Sequence, residues 1–463
     1  MRVLFLNPPY RRRIVRRYGC SYNSPGYLFP PLELCSLATV AREWNRANAE
    51  LVDAIAEGLT PEQAIRRVKP LKADLIVFMT GFDSFHEDMG IMDSIRERAG
   101  VPTACFGYLP TLFPEKTMNH SGVDYVIAGE PEQTLSELLV CLEKGNGLRR
   151  VKGLVWRKGK KIIRNPPRPR MKNLDCLPIP DRGFLDNGRY SMPFFGKPFT
   201  TIQTARGCPF ACTYCTHFEG REFAARSPEK VVEELKDIRS RGIRHVRFMD
   251  NNFTFPPERA KEICRRIVKE RLGIEWACLS RVDLLDRELV GLMEKAGCKT
   301  VFVGIESGSD RTLLKYRKGY NVGDVKRKMR LFNGTSLEKI GWFIVGAPWE
   351  DRRDFEKTLD LAKSLDLDYA IASVLSVFPG TDFFSQSAGQ LDFSLLPFNV
   401  SFKGRGFRQR QTGWEKEFYR RFYMRPGFMA RSMAKNITKP GLWVGMAKNM
   451  LSYIYSSGGG DFF

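Results

Sequence analysis

The chain has no run of eighteen or more apolar residues, so no segment is long enough to cross a bilayer as a helix. Its start, Met1 to Pro9, reads as a strand running into a loop and not as a signal peptide. Neither Gly-x-Gly-x-x-Gly nor a Walker loop occurs, which leaves nicotinamide dinucleotides and nucleoside triphosphates without a binding motif. The eleven cysteines form no disulfide-scaffold pattern, and no second C-x-x-C pair stands in zinc-site spacing. These absences predict a cytoplasmic protein in a reducing compartment. The 463 residues suffice for two to three domains with a sizeable core.

What is present is concentrated at one place. Cys208, Cys212 and Cys215 stand as C-x-x-x-C-x-x-C in Ala-Arg-Gly-Cys-Pro-Phe-Ala-Cys-Thr-Tyr-Cys-Thr-His. Three thiolates on one short loop suit three irons of a 4Fe-4S cluster and leave the fourth iron open for chemistry. Gly207 and Pro209 favour a tight loop, and Tyr214 offers an aromatic face beside it. A zinc knot or three unrelated buried thiols are the alternatives. The remaining cysteines read as ordinary thiols, Cys278 included.

This triad resembles the signature of the radical S-adenosylmethionine (radical SAM) enzymes, and the likeness continues downstream. Residues 246–253, 276–283, 301–308, 341–350 and 377–381 look like successive strands of that family's partial (β/α) barrel. The resemblance places Asp250 near the amino group of S-adenosylmethionine, Arg281 near its carboxylate, Glu306 and Ser307 near the ribose, and Ile344 and Gly346 near the adenine. Tyr214 joins them as a cofactor neighbour. Periodicity agrees, since β-branched runs alternate with amphipathic helical patterns and predict a parallel sheet whose ligands sit at strand carboxyl ends. For Asp250, Arg281 and Glu306, helix capping or surface ion pairs are the plain alternatives.

Residues 1–145 read as a separate, doubly wound parallel sheet. Asn7-Pro8-Pro9, the Pro-Leu-Glu-Leu of 31–34, Thr80-Gly81-Phe82-Asp83, the loop from Gly107 to Thr111, and Val123 to Glu130 resemble the N-terminal cobalamin-binding domain of a radical SAM subclass. By that resemblance Asn7, Pro8, Thr80, Gly81, Asp83, Gly107, Thr111, Gly129 and Glu130 face the corrin. The D-x-H-x-x-G cobalt-ligand motif is missing, because Asp83, His86 and Gly90 are spaced differently, so His86 is not expected as a ligand. A domain that merely supports the barrel is the alternative.

The expected layout is thus α/β throughout, with a cobalamin-binding-type domain at 1–145 and a proline-rich linker with a small hairpin at 146–198. The partial barrel follows at 199–387, and a helical, basic, aromatic-rich region at 388–463. The net charge is +22, and residues 401–450 carry twelve Lys or Arg against Glu415 and Glu417. Arg420, Arg421 and Arg425 with Phe418, Phe422 and Met429, and then Trp443, Met446, Met450 and Tyr453, suit a peripheral contact with an anionic inner-membrane face. RNA, or a helix packed on the barrel, would use the same composition. The resemblance implies an enzyme that cleaves S-adenosylmethionine with its cluster and uses cobalamin to methylate, cyclise or rearrange an apolar, lipid-like substrate. It also implies a reductant such as flavodoxin or ferredoxin. An RNA-modifying radical SAM enzyme and a non-catalytic iron–sulfur protein are the other readings.

Overall fold

The computed structural model describes residues 1–11, 14–17, 20–23, 27–82, 84–120, 122–192, 195–387, 389, 391–392, 401–402 and 405–435. Asp83 and the segment holding Trp443, Met446, Met450 and Tyr453 lie outside the described residues.

The first sheet consists of β1 (Arg2–Asn7), β2 (Asn48–Asp53), β3 (Leu75–Met79), β4 (Thr103–Phe106), β5 (Tyr125–Ile127), β6 (Leu154–Lys158) and β7 (Lys161–Arg164). Their spatial order is β2-β1-β3-β4-β5-β6-β7. The first five strands are parallel, and the β6–β7 hairpin adds antiparallel to the β5 edge. The central β3, Leu-Ile-Val-Phe-Met, is buried at every position because helices cover both faces. Strand order reverses between β1 and β3, and at such a switch point the connecting loops part and leave a crevice beyond the strand ends.

The second sheet runs β8 (Phe199–Ile202), β9 (His245–Phe248), β10 (Glu275–Arg281), β11 (Cys298–Glu306), β12 (Glu338–Val345) and β13 (Tyr369–Val374), all parallel and in chain order. This is a partial (β/α) barrel. Its helices are amphipathic at helical spacing: Pro257–Lys269 buries Ala260, Ile263, Cys264 and Ile267. Trp276 anchors the interior, with Phe248 and Phe253 at 5.1 Å between ring centroids and its indole N–H donating to Ala296 O at 2.8 Å. Residues 377–381, expected as a strand, form instead the turn after β13. Pro379 cannot donate to a ladder and Gly380 adopts φ 86°, so the chain bends there.

A partial barrel leaves β13 as an open edge, and the helix Arg405–Tyr423 covers it. The Tyr419 phenol accepts from Ala372 N (3.2 Å) and donates to Ala372 O (3.0 Å), and Tyr423 does the same at Ala370 (3.1 and 2.8 Å). Phe418 and Phe422 are fully buried in the barrel core. They are therefore not available as membrane anchors, contrary to the sequence expectation, because the aromatic face of this helix is used inward. Arg421 is tied to Glu356 and Glu417, and Arg425 donates to Phe422 O; Met429 remains exposed. No helix among the described residues is long and apolar enough to cross a membrane.

Candidate active site

The triad sits on the loop that follows β8. Gly207 opens it at φ 77°, and a Cβ there would come within 2.0 Å of Glu222 O, so no other residue fits. The loop is pinned from several sides: Cys208 N donates to Gly220 O (3.1 Å), Thr213 N to Tyr316 O (3.2 Å) and Phe383 N to Thr213 O (2.9 Å). The His217 ring bridges Cys215 O and Phe210 O at 2.9 and 2.6 Å. Cys212 is buried and the other two thiols are half-buried. Burial pushes the Cys215 thiol up to about 11 and raises Cys208 as well. Ionising such thiols takes neighbouring positive charge. Arg281 supplies some, with its guanidinium 3.5 Å from Cys212 Sγ and stacked 3.8 Å above the Phe210 ring. Lys318, fully enclosed, pairs with Glu306 at 3.0 Å and reaches Tyr214 Oη at 3.3 Å. Three thiols on one pinned loop and short of positive charge suit a cationic iron–sulfur group, although among the described residues no three His, Cys, Asp or Glu side chains are gathered closely enough to hold a metal ion as they stand.

The other strand-end residues divide. Arg281 ends β10 beside the triad, and Glu306 ends β11 at φ 70°, a conformation costly for a side-chain-bearing residue and held here by the Lys318 pair. Asp250 is buried with its oxygens taken by Thr204 N, Thr204 Oγ1 and Ala205 N, so it fixes the chain that leads into the triad. Ser307 is buried, bonding Thr358 Oγ1 (3.1 Å) and accepting from Ser309 N (3.1 Å). Ile344 packs with Tyr214 and Tyr316, and Gly346 turns at φ 79°. Glu350 accepts from Ala347 N at 2.9 Å, and burial pushes its carboxyl up to about 7.

Between the carboxyl edge of the first sheet and the barrel lies a cleft of about 170 Å³ that opens to solvent. Gly107, Thr111, Gly129 and Glu130, which the sequence reading expects at the corrin, border it. Gly129 has φ 88° and open space where a Cβ would stand; Gly107 has φ 132°. A glycine-floored cleft beyond the carboxyl ends of β4 and β5, with a polar rim, suits a ligand that carries amide arms. Asn7, Pro8, Thr80 and Gly81 do not border it. They lie beneath, where Arg16, which does border it, donates to Asn7 Oδ1 (2.7 Å), Pro8 O (3.0 Å) and Asp88 Oδ1 (2.5 Å), and Thr80 donates to Asp88 (2.8 Å).

On the barrel side the cleft meets Gln203, Arg206, Phe218, Glu219 and Met249, which the sequence reading did not single out. Glu219 accepts from Gln203 Nε2 and Asn251 Nδ2, both at 2.7 Å; desolvation, opposed by Arg206, pushes its carboxyl up to about 7. Tyr108 Oη lies 3.0 Å from Thr216 O and 3.1 Å from Pro379 O, so the first domain touches the loop leaving Cys215 directly. Nothing in the sequence separates Glu219, Arg16 or Lys318 from surface charge. Their roles come from contacts with residues far along the chain.

A cysteine triad at the mouth of a partial barrel, with a glycine-lined cleft of a doubly wound domain facing it, suits a radical enzyme with a corrin-type partner domain. A family profile for the Radical SAM superfamily matches residues 202–362, and one for the B12 binding domain matches residues 22–139. The uncharacterized methyltransferase PH0819 of Pyrococcus horikoshii is 33% identical over 82% of this chain and 82% of its own length. The anaerobic magnesium-protoporphyrin IX monomethyl ester cyclase of Rubrivivax gelatinosus is 24% identical over 97% of this chain and 82% of its own. The structure of the methyltransferase TsrM from Kitasatospora setae, with cobalamin and a [4Fe-4S] cluster bound, superposes with a TM-score of 0.72 at 17% identity over 92% of this chain and 89% of that one. The chain belongs to the cobalamin-binding radical SAM family, enzymes whose cofactors are a 4Fe-4S cluster, S-adenosylmethionine and cobalamin.

Proposed function

We propose that this enzyme transfers a methyl group to an unactivated carbon of a mainly apolar substrate held in the cleft between the two domains. Ring closure or rearrangement of such a substrate is the second reading, supported by the likeness to the Rubrivivax cyclase over nearly the whole chain. One observation carries the proposal: a single cleft touches both the glycine-lined edge of the first sheet and the loop leaving Cys215. When bound, the cluster supplies the electron that splits S-adenosylmethionine, and cobalamin supplies a transferable methyl.

The chain's own residues do the rest. Cys208, Cys212 and Cys215 would hold the cluster, with Arg281 and Lys318 offsetting the thiolates' charge. Gly107, Thr111, Gly129 and Glu130 would border the corrin. Phe29, Leu32, Met79, Phe106, Phe218 and Met249 give the cleft an apolar wall that excludes water from reactive carbon. Glu219 would orient the substrate by accepting from a donor group on it.

Iron, sulfide and cobalt analysis of anaerobically prepared protein, with Cys212→Ala beside it, tests the assignment. The wild type should carry all three, and the variant should lose cluster absorbance and 5′-deoxyadenosine formation together. Isotope label from the methyl group of S-adenosylmethionine should then appear in an apolar extract incubated with the enzyme. Bound cobalt with no transferred label would favour ring closure or rearrangement.

A further inference from the structure

The wall that the barrel gives to the cleft holds three polar atoms with no hydrogen-bond partner among the described residues. They are Thr201 Oγ1, Arg226 Nη1 and Glu234 Oε2, on side chains that border the cleft and are at most 4% exposed. The rest of each group is committed. Arg226 Nη2 donates to Pro178 O (3.0 Å), and Arg182 Nη2 donates both to Glu234 Oε1 and to Thr201 O (2.7 Å each). The two unbonded charged atoms stand 3.9 Å apart, beyond hydrogen-bond reach. A buried polar atom is normally bonded, and an unbonded one in a cleft wall marks a place that a ligand or a water completes.

Leu174, Leu177 and Pro180 of the connector border the same cleft, and in such apolar surroundings a hydrogen bond that is made is strong. Glu132, in the first turn of the helix Pro131–Lys144, ties this wall to the glycine-lined edge of the first sheet: against desolvation, Arg206 and Arg226 hold its carboxyl below the usual value. Charge then decides what fits between Arg226 and Glu234. An anion would meet the Glu234 carboxylate and a cation the Arg226 guanidinium, so the occupant is neutral and both accepts and donates. A primary carboxamide carries its acceptor and its donors on adjacent atoms. Its oxygen accepts from Arg226 Nη1, and its two N–H groups serve Glu234 Oε2 and Thr201 Oγ1.

We infer that Thr201, Arg226 and Glu234 form a subsite for a primary carboxamide. The inference rests on the proposed reading of the cleft as the place where ligands are held, and it names the chemistry of one end of such a ligand. Two sources bring that group into the cleft: an amide arm of the corrin, or an amide on the otherwise apolar substrate.

The test uses the full-length enzyme, with and without bound cobalamin, and octanamide as the probe. Ligand-observed NMR titration should show octanamide binding roughly tenfold more tightly than octanoate, octylamine or 1-octanol, which share its chain. Glu234→Gln should raise octanoate affinity to within about threefold of octanamide, because the new amide donates where the carboxylate repelled, while Oε1 still accepts from Arg182. Thr201→Val should weaken octanamide about fivefold, and it should not lower the Tm, since Thr201 Oγ1 makes no bond in the fold. Glu97→Gln, exposed on the first domain, controls for net charge and should change neither affinity. Octanamide that binds the cobalamin-free enzyme and is excluded once cobalamin is loaded assigns the subsite to a corrin arm; binding to both forms assigns it to the substrate. Equal binding of all the probes, an octanoate affinity that Glu234→Gln leaves alone or that Glu97→Gln raises equally, or a crystal structure with octanamide elsewhere and only a water between Arg226 and Glu234 would each overturn the subsite. A wild type that selects octanamide yet transfers no methyl label to an apolar carbon would instead strike at the proposed function and leave the subsite standing.

Discussion

Glu219 shows how one side chain takes a property from its surroundings that its place in the sequence does not suggest. Its two oxygens are bonded by neutral amides, Gln203 and Asn251, while desolvation pushes its carboxyl up to about 7 from 4.5. Because the folded value is the higher one, the fold favours the protonated form. The stabilising contribution is complete below pH 4.5 and is lost as pH rises through about 7. Glu219→Gln should flatten this slope. Near pH 8 the variant should be the more stable by about 2 kcal/mol, less than the full shift implies because the side chain borders an open cleft. Urea unfolding of both proteins near pH 5 and pH 8 reads the difference directly. Parallel slopes would mean that the carboxyl titrates normally.

At the scale of elements, the helix Arg405–Tyr423 acts as a substitute for missing barrel strands. Two phenols one turn apart, Tyr419 and Tyr423, meet the N–H and C=O groups of Ala372 and Ala370 that a further strand would have paired. Tyr419→Phe leaves both main-chain groups of Ala372 buried without this partner. It should destabilise the protein by about 1–3 kcal/mol in equilibrium unfolding, while the nearly isosteric ring keeps the packing. An effect within error would show that water reaches this edge. The ion pairs of Arg352 and Arg421 with Glu356 and Glu417 lie at the exposed margin of the same contact, where such pairs contribute little.

Across the whole molecule, the connector between the sheets is structural as well as a tether. Arg182 is fully buried, donating to Glu234 (2.7 Å), Thr201 O (2.7 Å) and Thr200 Oγ1 (3.1 Å), and the adjacent Asp181 is held by Arg42 and by Thr39 of the first domain. This fastens the first domain to the amino-terminal strand of the barrel. Tyr108 fastens it again at the triad loop, with Phe82 and Phe218 at 5.8 and 6.0 Å. The cleft between the two attachments is thereby held at a set width. Arg182→Met removes one partner of a buried pair and leaves the Glu234 carboxylate with only Arg226, 3.9 Å away. A loss of about 3 kcal/mol is expected, seen as a lowered Tm, with cobalt content falling before iron content as the domains loosen.

The sequence by itself determined the cofactor chemistry and the order of the elements. Triad spacing, turn glycines and the alternation of β-branched runs with amphipathic helices are properties of neighbours in the chain, so the strands around Leu4, Phe78, Val246, Phe302 and Phe343 were legible without coordinates. Residues 377–381 misled because an apolar pair followed by Pro-Gly suits a strand end and a turn equally. Only the tertiary structure decided which polar groups face the cleft. Asp250 and Ser307 turned out to brace the loops beside them, Asn7 and Thr80 to support Arg16 from below, and Glu219, Arg16 and Tyr108 to line the space itself. It also turned the aromatic face of Arg405–Tyr423 from a candidate membrane surface into the cover of a strand edge. The physical reason is the same in each case. Which way a side chain points depends on the register of strands and helices that meet from distant parts of the chain, and burial and pKa follow from that meeting.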